Sequence, residues 1–107
     1  MGTNCLGPFL FNHYLEPVLK RTAANADRNS VRIVWLSSML AVGTPPGGII
    51  FDGKTGNPKV IKNAMENYME SKVGNLFLAS EAAKCLGSDG IISIVCTPLL
   101  LAQSQPR

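Results

Sequence analysis

Val31-Arg32-Ile33-Val34-Trp35-Leu36-Ser37-Ser38 is the stretch that decides the fold class. Its first six residues are β-branched or bulky and almost continuously apolar after Arg32, the pattern of a strand buried on both faces. A second run of the same kind, Ile91-Ile92-Ser93-Ile94-Val95-Cys96, is stopped by Pro98. Between them, helical spacing starts around Val60 and holds through Met65, Met69, Val73, Leu76, Leu78, Ala79, Ala82, Ala83 and Leu86, with Gly87 placed as the C′ residue. Two buried strands joined through a long helix predict a right-handed β-α-β crossover in a parallel sheet, and so an α/β protein.

Upstream of the first strand, Phe9, Leu10, Tyr14, Leu15, Val18 and Leu19 recur at helical spacing over residues 8–24, and Pro8 suits a first helical turn. The polar run Asn25-Ala26-Asp27-Arg28-Asn29-Ser30 then reads as a loop. Downstream of the strand, Gly43-Thr44-Pro45-Pro46-Gly47-Gly48, Gly53, Gly56 and Asn57 predict a long loop over residues 39–60, on the active-site side. The order is helix, strand, loop, helix, strand. Two helices cannot cover both faces of a parallel sheet, so the expectation is one partial domain over residues 1–107, completed by a partner chain or by a larger fold.

Composition bounds the function. At 107 residues, 46% hydrophobic and 16% charged, the chain is at most one globular domain. Its net charge of +3 is spread along the sequence, which excludes an acidic tail and provides no basic stripe for nucleic acid. The apolar stretch from Gly90 to Ala102 contains Ser93, Thr97 and Pro98 and falls short of the roughly 18 residues of a membrane span. No Lys or Arg precedes the apolar run from Leu6 to Phe11, as a secretory signal would need, and Leu6 stands where N-myristoylation requires Ser or Thr. Cys5, Cys85 and Cys96 lack C-x-x-C spacing and with the single His13 make no zinc site, so no metal is expected. Free thiols make a reducing cytoplasm the default, with the cysteines as small buried hydrophobes; a nucleophilic Cys5 or Cys96 would lack a second histidine.

Two motifs carry chemistry. Gly48-Ile49-Ile50-Phe51-Asp52-Gly53-Lys54-Thr55 matches the letters of a phosphate-binding P-loop, which would make a nucleotide triphosphatase. Gly56-Asn57-Pro58, however, interrupts a helix where one must begin, and Pro45-Pro46-Gly47 upstream is no strand. Tyr68 and Lys72 sit four apart, on one face of the long helix and about one turn from each other. A neighbouring ammonium favours a phenolate, so the pair suits acid-base work. Ser38 closes the first strand, and ligands of open α/β sheets bind beyond the carboxyl ends of strands, so Ser, Tyr and Lys can meet at one crevice.

These residues resemble the short-chain dehydrogenase/reductase family. The likeness runs through Asn4-x-x-Gly7-Pro8-Phe9, through Arg32 to Ser38, and through Tyr68-Met69-Glu70-Ser71-Lys72 with Val73-Gly74-Asn75. It continues in Ala79-Ser80-Glu81, Gly87 and Gly90-Ile91-Ile92-Ser93-Ile94. The interval from Ser38 to Tyr68 looks like that of the retinol-dehydrogenase-like and fungal members. The resemblance implies a Rossmann-like, doubly wound sheet and hydride transfer between a nicotinamide cofactor and a small carbonyl or alcohol substrate. It makes Tyr68 the acid/base and Ser38 the group that orients the substrate oxygen. Lys72 would assist Tyr68 and hold the nicotinamide ribose, Asn4 would anchor a water, and Pro98 would join Tyr68 and Lys72 in cofactor binding. NADP or NAD is the implied cofactor, with NADP the form such members tend to use.

The Gly-rich dinucleotide turn of the family has no counterpart before Met1, Leu99 stands where Gly is expected, and Gln103 appears where a Thr is expected. The resemblance is therefore to the C-terminal part of the family fold. The alternative expectation is a non-catalytic remnant or interaction module that pairs with another chain, a second copy included, through exposed sheet edges and the apolar run Leu99-Leu100-Leu101.

Overall fold

In the computed structural model, which describes residues 1–98, the two apolar stretches form strands β1 (Arg32–Leu36) and β2 (Ile92–Cys96). They pair in parallel, from Arg32 opposite Ile92 to Leu36 opposite Cys96. Helix α1 (Gly7–Asn25) precedes β1, and α2 (Ala64–Leu86) makes the crossover between the strands. The α/β class and the parallel β-α-β unit are thus as expected from sequence. Leu99, Leu100, Leu101 and Gln103 lie outside the described residues.

Helix α2 starts later than the apolar spacing suggests. Asn63, not a residue near Val60, caps it: Asn63 Oδ1 accepts from the amides of Met65 at 2.9 Å and Glu66 at 3.2 Å, pairing two donors that the first turn leaves free. At the other end Gly87 is not a left-handed C′ residue but sits at φ −62°, ψ −36°, and the chain runs on through a short 3₁₀ turn, Gly87–Asp89. Gly90, at φ 75°, makes the reversal into β2 instead. Helix α1 is preceded by a π-helical turn, Gly2–Leu6, with no counterpart in the apolar pattern.

The loop over residues 39–60 is less irregular than its composition suggests. It opens with a 3₁₀ helix, Met39–Gly43, and contains an antiparallel bridge between Phe51 and Pro58. Gly48, at φ 79°, touches α2, where a Cβ would come within 3.0 Å of Phe77 and 3.1 Å of Val73.

One sheet face is covered. Trp35 is 4% exposed and donates from Nε1 to Ser93 Oγ at 2.9 Å, and Ser93 Oγ in turn donates to the carbonyl of Ala79 at 2.9 Å. This chain of bonds ties β1 to β2 and β2 to α2. Alternation along the strands turns Val34, Leu36 and Ile94 to the opposite face, where they are 53%, 56% and 43% exposed. Helix α1 buries none of its residues, and Phe9, Phe11 and Tyr14 are all exposed. Among the described residues the sheet therefore has one helical layer where a parallel sheet ordinarily has two.

Candidate active site

The carboxyl end of β1 is fastened to α2 by three bonds. Ser37, buried because odd-numbered residues of β1 face the helix, donates from Oγ to the carbonyl of Lys72 at 2.9 Å. The carbonyl of Leu36 accepts from Asn75 Nδ2 at 2.8 Å and from Lys72 Nζ at 3.4 Å. Lys72 Nζ also lies 5.6 Å from the centre of the Tyr68 ring, within cation–π range. The two residues of the Y-x-x-x-K pair thus meet, with Tyr68 38% exposed and able to reach a bound molecule.

Asn4 reaches the same turn of α2 from the π-helical segment. Its Nδ2 donates to Ser71 Oγ at 2.9 Å, and that hydroxyl donates to the Tyr68 carbonyl at 2.7 Å. Cys5 stands beside it and donates from Sγ to the Ser71 carbonyl at 2.9 Å. Burial pushes the Cys5 thiol above its ordinary value, against smaller opposing pulls from the N-terminal amine and Lys72. A buried thiol held protonated is a packing group rather than a nucleophile. Gly74 makes room for it, since a Cβ there would come within 2.5 Å of Cys5 Sγ.

Ser38 caps the Met39–Gly43 turn, its Oγ accepting from the Leu40 amide at 3.2 Å. That bond uses an acceptor site of the hydroxyl; the O–H itself has no acceptor among the described residues. No hydrogen bond joins Ser38 to Tyr68. Pro98 lies two residues past β2 and is exposed, as Ser38 lies two residues past β1. A cavity of about 260 Å³ opens beside this cluster, lined in part by Asn4, Leu36, Lys72 and Asn75. The structure thus joins Tyr68 to Lys72 and ties Asn4 to them through Ser71, while Ser38 and Pro98 share only the same end of the sheet.

Ser37, Ser71, Cys5 and Asn75 escaped the sequence reading as parts of the site. For Ser37 the signal was present in strand alternation, which turns the first serine of the pair toward the helix and the second to the loop. Asn75 falls three residues after Lys72, on the same helical face.

The P-loop pattern is a turn. Asp52 accepts from the amides of Lys54 at 2.9 Å and Thr55 at 2.8 Å, so an internal carboxylate already occupies the donors a phosphate would need, and no helix begins at Thr55. No cluster among the described residues could hold a metal ion, and no described helix is long and apolar enough to cross a membrane.

Comparison with known proteins finds relatives of this chain. A short-chain dehydrogenase/reductase of Pestalotiopsis fici is 38% identical over 99 residues, covering 92% of this chain and 30% of the relative. The chain belongs to the short-chain dehydrogenases/reductases. A Neocamarosporium betae member is 40% identical over 100 residues, with 92% of this chain and 28% of the relative covered. A member from Emericella nidulans is 38% identical over 102 residues, with 92% and 31% covered. This short-chain dehydrogenase/reductase sequence thus spans under a third of the length of these fungal relatives. No family profile and no solved structure matches it.

Proposed function

We propose that these residues form the proton-transfer and nicotinamide-ribose end of an NADP- or NAD-dependent oxidoreductase acting on a small carbonyl or alcohol substrate. The meeting of Tyr68 with Lys72 at the carboxyl end of β1 carries the reading. When bound, the nicotinamide supplies or accepts the hydride. The protein's own task is then to hold one proton and one oxygen in place. Tyr68 Oη exchanges the proton with the substrate oxygen. Ser38, its acceptor side fixed by the Leu40 amide, donates its O–H to that oxygen. Lys72 has three ammonium hydrogens and one acceptor, the Leu36 carbonyl, among the described residues, leaving donors for ribose hydroxyls. Asn4, bonded through Ser71 to the Tyr68 carbonyl, keeps the turn that carries Tyr68 in register.

The fit covers one end of the cofactor. Tyr68 and Lys72 suit its ribose, with Pro98 at the same end of the sheet, whereas no Gly-rich strand-to-helix turn in the described residues would hold its pyrophosphate. Free thiols at Cys5, Cys85 and Cys96 fit a cytoplasmic setting, although only Cys5 is the buried hydrophobe expected of all three, Cys85 and Cys96 being exposed. Circular dichroism melts with and without saturating NADPH, together with NADPH-dependent reduction of a carbonyl panel, test the reading. The expected result is a melting temperature raised by NADPH in both wild type and Tyr68→Phe, with turnover only in wild type. Equal turnover by Tyr68→Phe overturns the assignment.

A second reading, a non-catalytic interaction module, draws on the exposed Val34, Leu36 and Ile94. It is distinguished by a chain that binds a partner polypeptide but neither shifts with NADPH nor turns over.

A further inference from the structure

A cavity of about 380 Å³ lies behind the Tyr68 face of α2 and takes no part in the oxidoreductase reading. Pro45, Ile50, Ile61 and Met69 make its walls apolar, and Glu66 and Glu70, one turn apart on α2, set two carboxyl groups into them. These two residues stand two positions either side of Tyr68, nearly on the opposite side of the helix, and none of Asn4, Ser38, Tyr68 and Lys72 lines the cavity. Its volume falls at the small end of ligand sites.

Glu70 is the residue that calls for an occupant. It is 3% exposed, its Oε1 accepts from the Ile50 amide at 3.4 Å, a long bond, and its Oε2 has no hydrogen-bond partner among the described residues. Taking a carboxylate out of water is costly unless a cation and further donors replace the water. No Lys, Arg or His lines the cavity, and no ion pair to Glu66 or Glu70 forms among the described residues. Thr44 lines it too, and its hydroxyl donates to the Ala41 carbonyl at 2.9 Å, which keeps the oxygen's lone pairs for accepting.

We infer that this cavity binds a primary amine as its ammonium, held by Glu70 and Glu66, with a short aliphatic or aromatic body against Pro45, Ile50, Ile61 and Met69. The three hydrogens of an ammonium match the acceptors on offer, Glu70 Oε2, the Glu66 carboxylate and Thr44 Oγ1. A bare metal ion suits the place less, since two carboxylates fall short of the about six oxygens that a hard cation takes, and the apolar walls add none. An anion or a neutral molecule would leave the Glu70 charge uncompensated. The site is separate from Tyr68, so the inference goes beyond the oxidoreductase reading and stands whether or not the chain turns over NADPH.

The test is a titration of the full chain with 2-phenylethylamine at fixed ionic strength, followed in amide NMR spectra, where the Ile50 amide reports directly on Glu70. Binding that saturates below about 10 mM is expected, with shifts centred on Thr44, Ile50 and Glu70. 2-Phenylethanol, the same body without the charge, should bind at least about tenfold more weakly, and ammonium chloride, the charge without the body, should not saturate. Glu70→Gln keeps an acceptor for the Ile50 amide but removes the charge, and should weaken the amine at least about tenfold; Glu66→Gln, at an exposed position, should weaken it about threefold. Ile61→Arg supplies a cation from the chain itself and should abolish amine binding while the circular dichroism spectrum is kept, which carries the test even if Glu70→Gln fails to fold. Absence of saturation by about 10 mM overturns the inference. Equal binding of 2-phenylethanol, an affinity untouched by a folded Glu70→Gln or by Ile61→Arg, or shifts centred on Tyr68 and Lys72 does the same.

Discussion

Replacing Gly74 with alanine probes the contact that sets the depth of the π-helical turn on α2, and through it the position of Asn4. The new Cβ would sit 2.5 Å from Cys5 Sγ, about 1 Å inside ordinary contact, yet 3.7 Å from Cys5 Cβ and 3.7 Å from Ile49 Cδ1, both comfortable. Alanine gains about 1 kcal/mol of helix propensity over glycine. Against this stand an overpacking cost of about 1–3 kcal/mol and, if the thiol swings away, the loss of its bond to the Ser71 carbonyl, about 1 kcal/mol. Gly74→Ala should therefore destabilise the wild-type chain by about 1–3 kcal/mol. Cys5→Ala removes the offending sulfur, and in that background the same substitution should stabilise by up to about 1 kcal/mol, a change of sign. Urea titrations of the four chains of the cycle, followed by helical circular dichroism, measure both values. Equal destabilisation in the two backgrounds would refute the claim that Cys5 is what keeps position 74 a glycine.

Other expectations follow from the same packing. In the native chain Cys85 and Cys96, both exposed, should react promptly with a disulfide reagent, whereas Cys5, buried and with its thiol pushed up, should react only after denaturant is added; three equally fast thiols would contradict its placement. Trp35→Phe should cost about 2 kcal/mol in a urea titration, through the bond to Ser93 and lost burial, and a neutral result would mean that the tie between the strands is not formed. Lys20 holds the Glu16 carboxyl, and the amides and hydroxyl at residues 54 and 55 hold the Asp52 carboxyl, below their ordinary values of 4.5 and 3.8. Their stabilisation is present above those values and is lost as pH falls through the lowered ones. Between about pH 6 and pH 3 the wild type should accordingly lose slightly more stability than a Glu16→Gln/Asp52→Asn chain, a small difference at such exposed sites that added salt should shrink for the Glu16 pair; identical losses would dismiss both interactions.

Strand and helix identities were legible because apolar periodicity is a local signal: β1, β2 and most of α2 follow from it directly. Helix α2 starts later than the apolar count implies, since Val60 continues that count while Asn63, a capping residue in plain view, decides the boundary through its carbonyl oxygen. The left-handed role expected of Gly87 belongs to Gly90, since either glycine could end the helix and only the intervening 3₁₀ turn distinguishes them. At the site, Tyr68 and Lys72 are related by a fixed helical offset and so could be read. Asn75, Ser71 and Cys5 act on groups far away in sequence, such as the Leu36 carbonyl, which no local pattern reveals.

The uncovered sheet face has a consequence for the life of the chain in a cell. Val34, Leu36 and Ile94, open to water among the described residues, are apolar surface of the kind that chaperones and degradation machinery recognise when it stands uncovered. Wherever that face stands unshielded, the expected consequence is a shortened half-life.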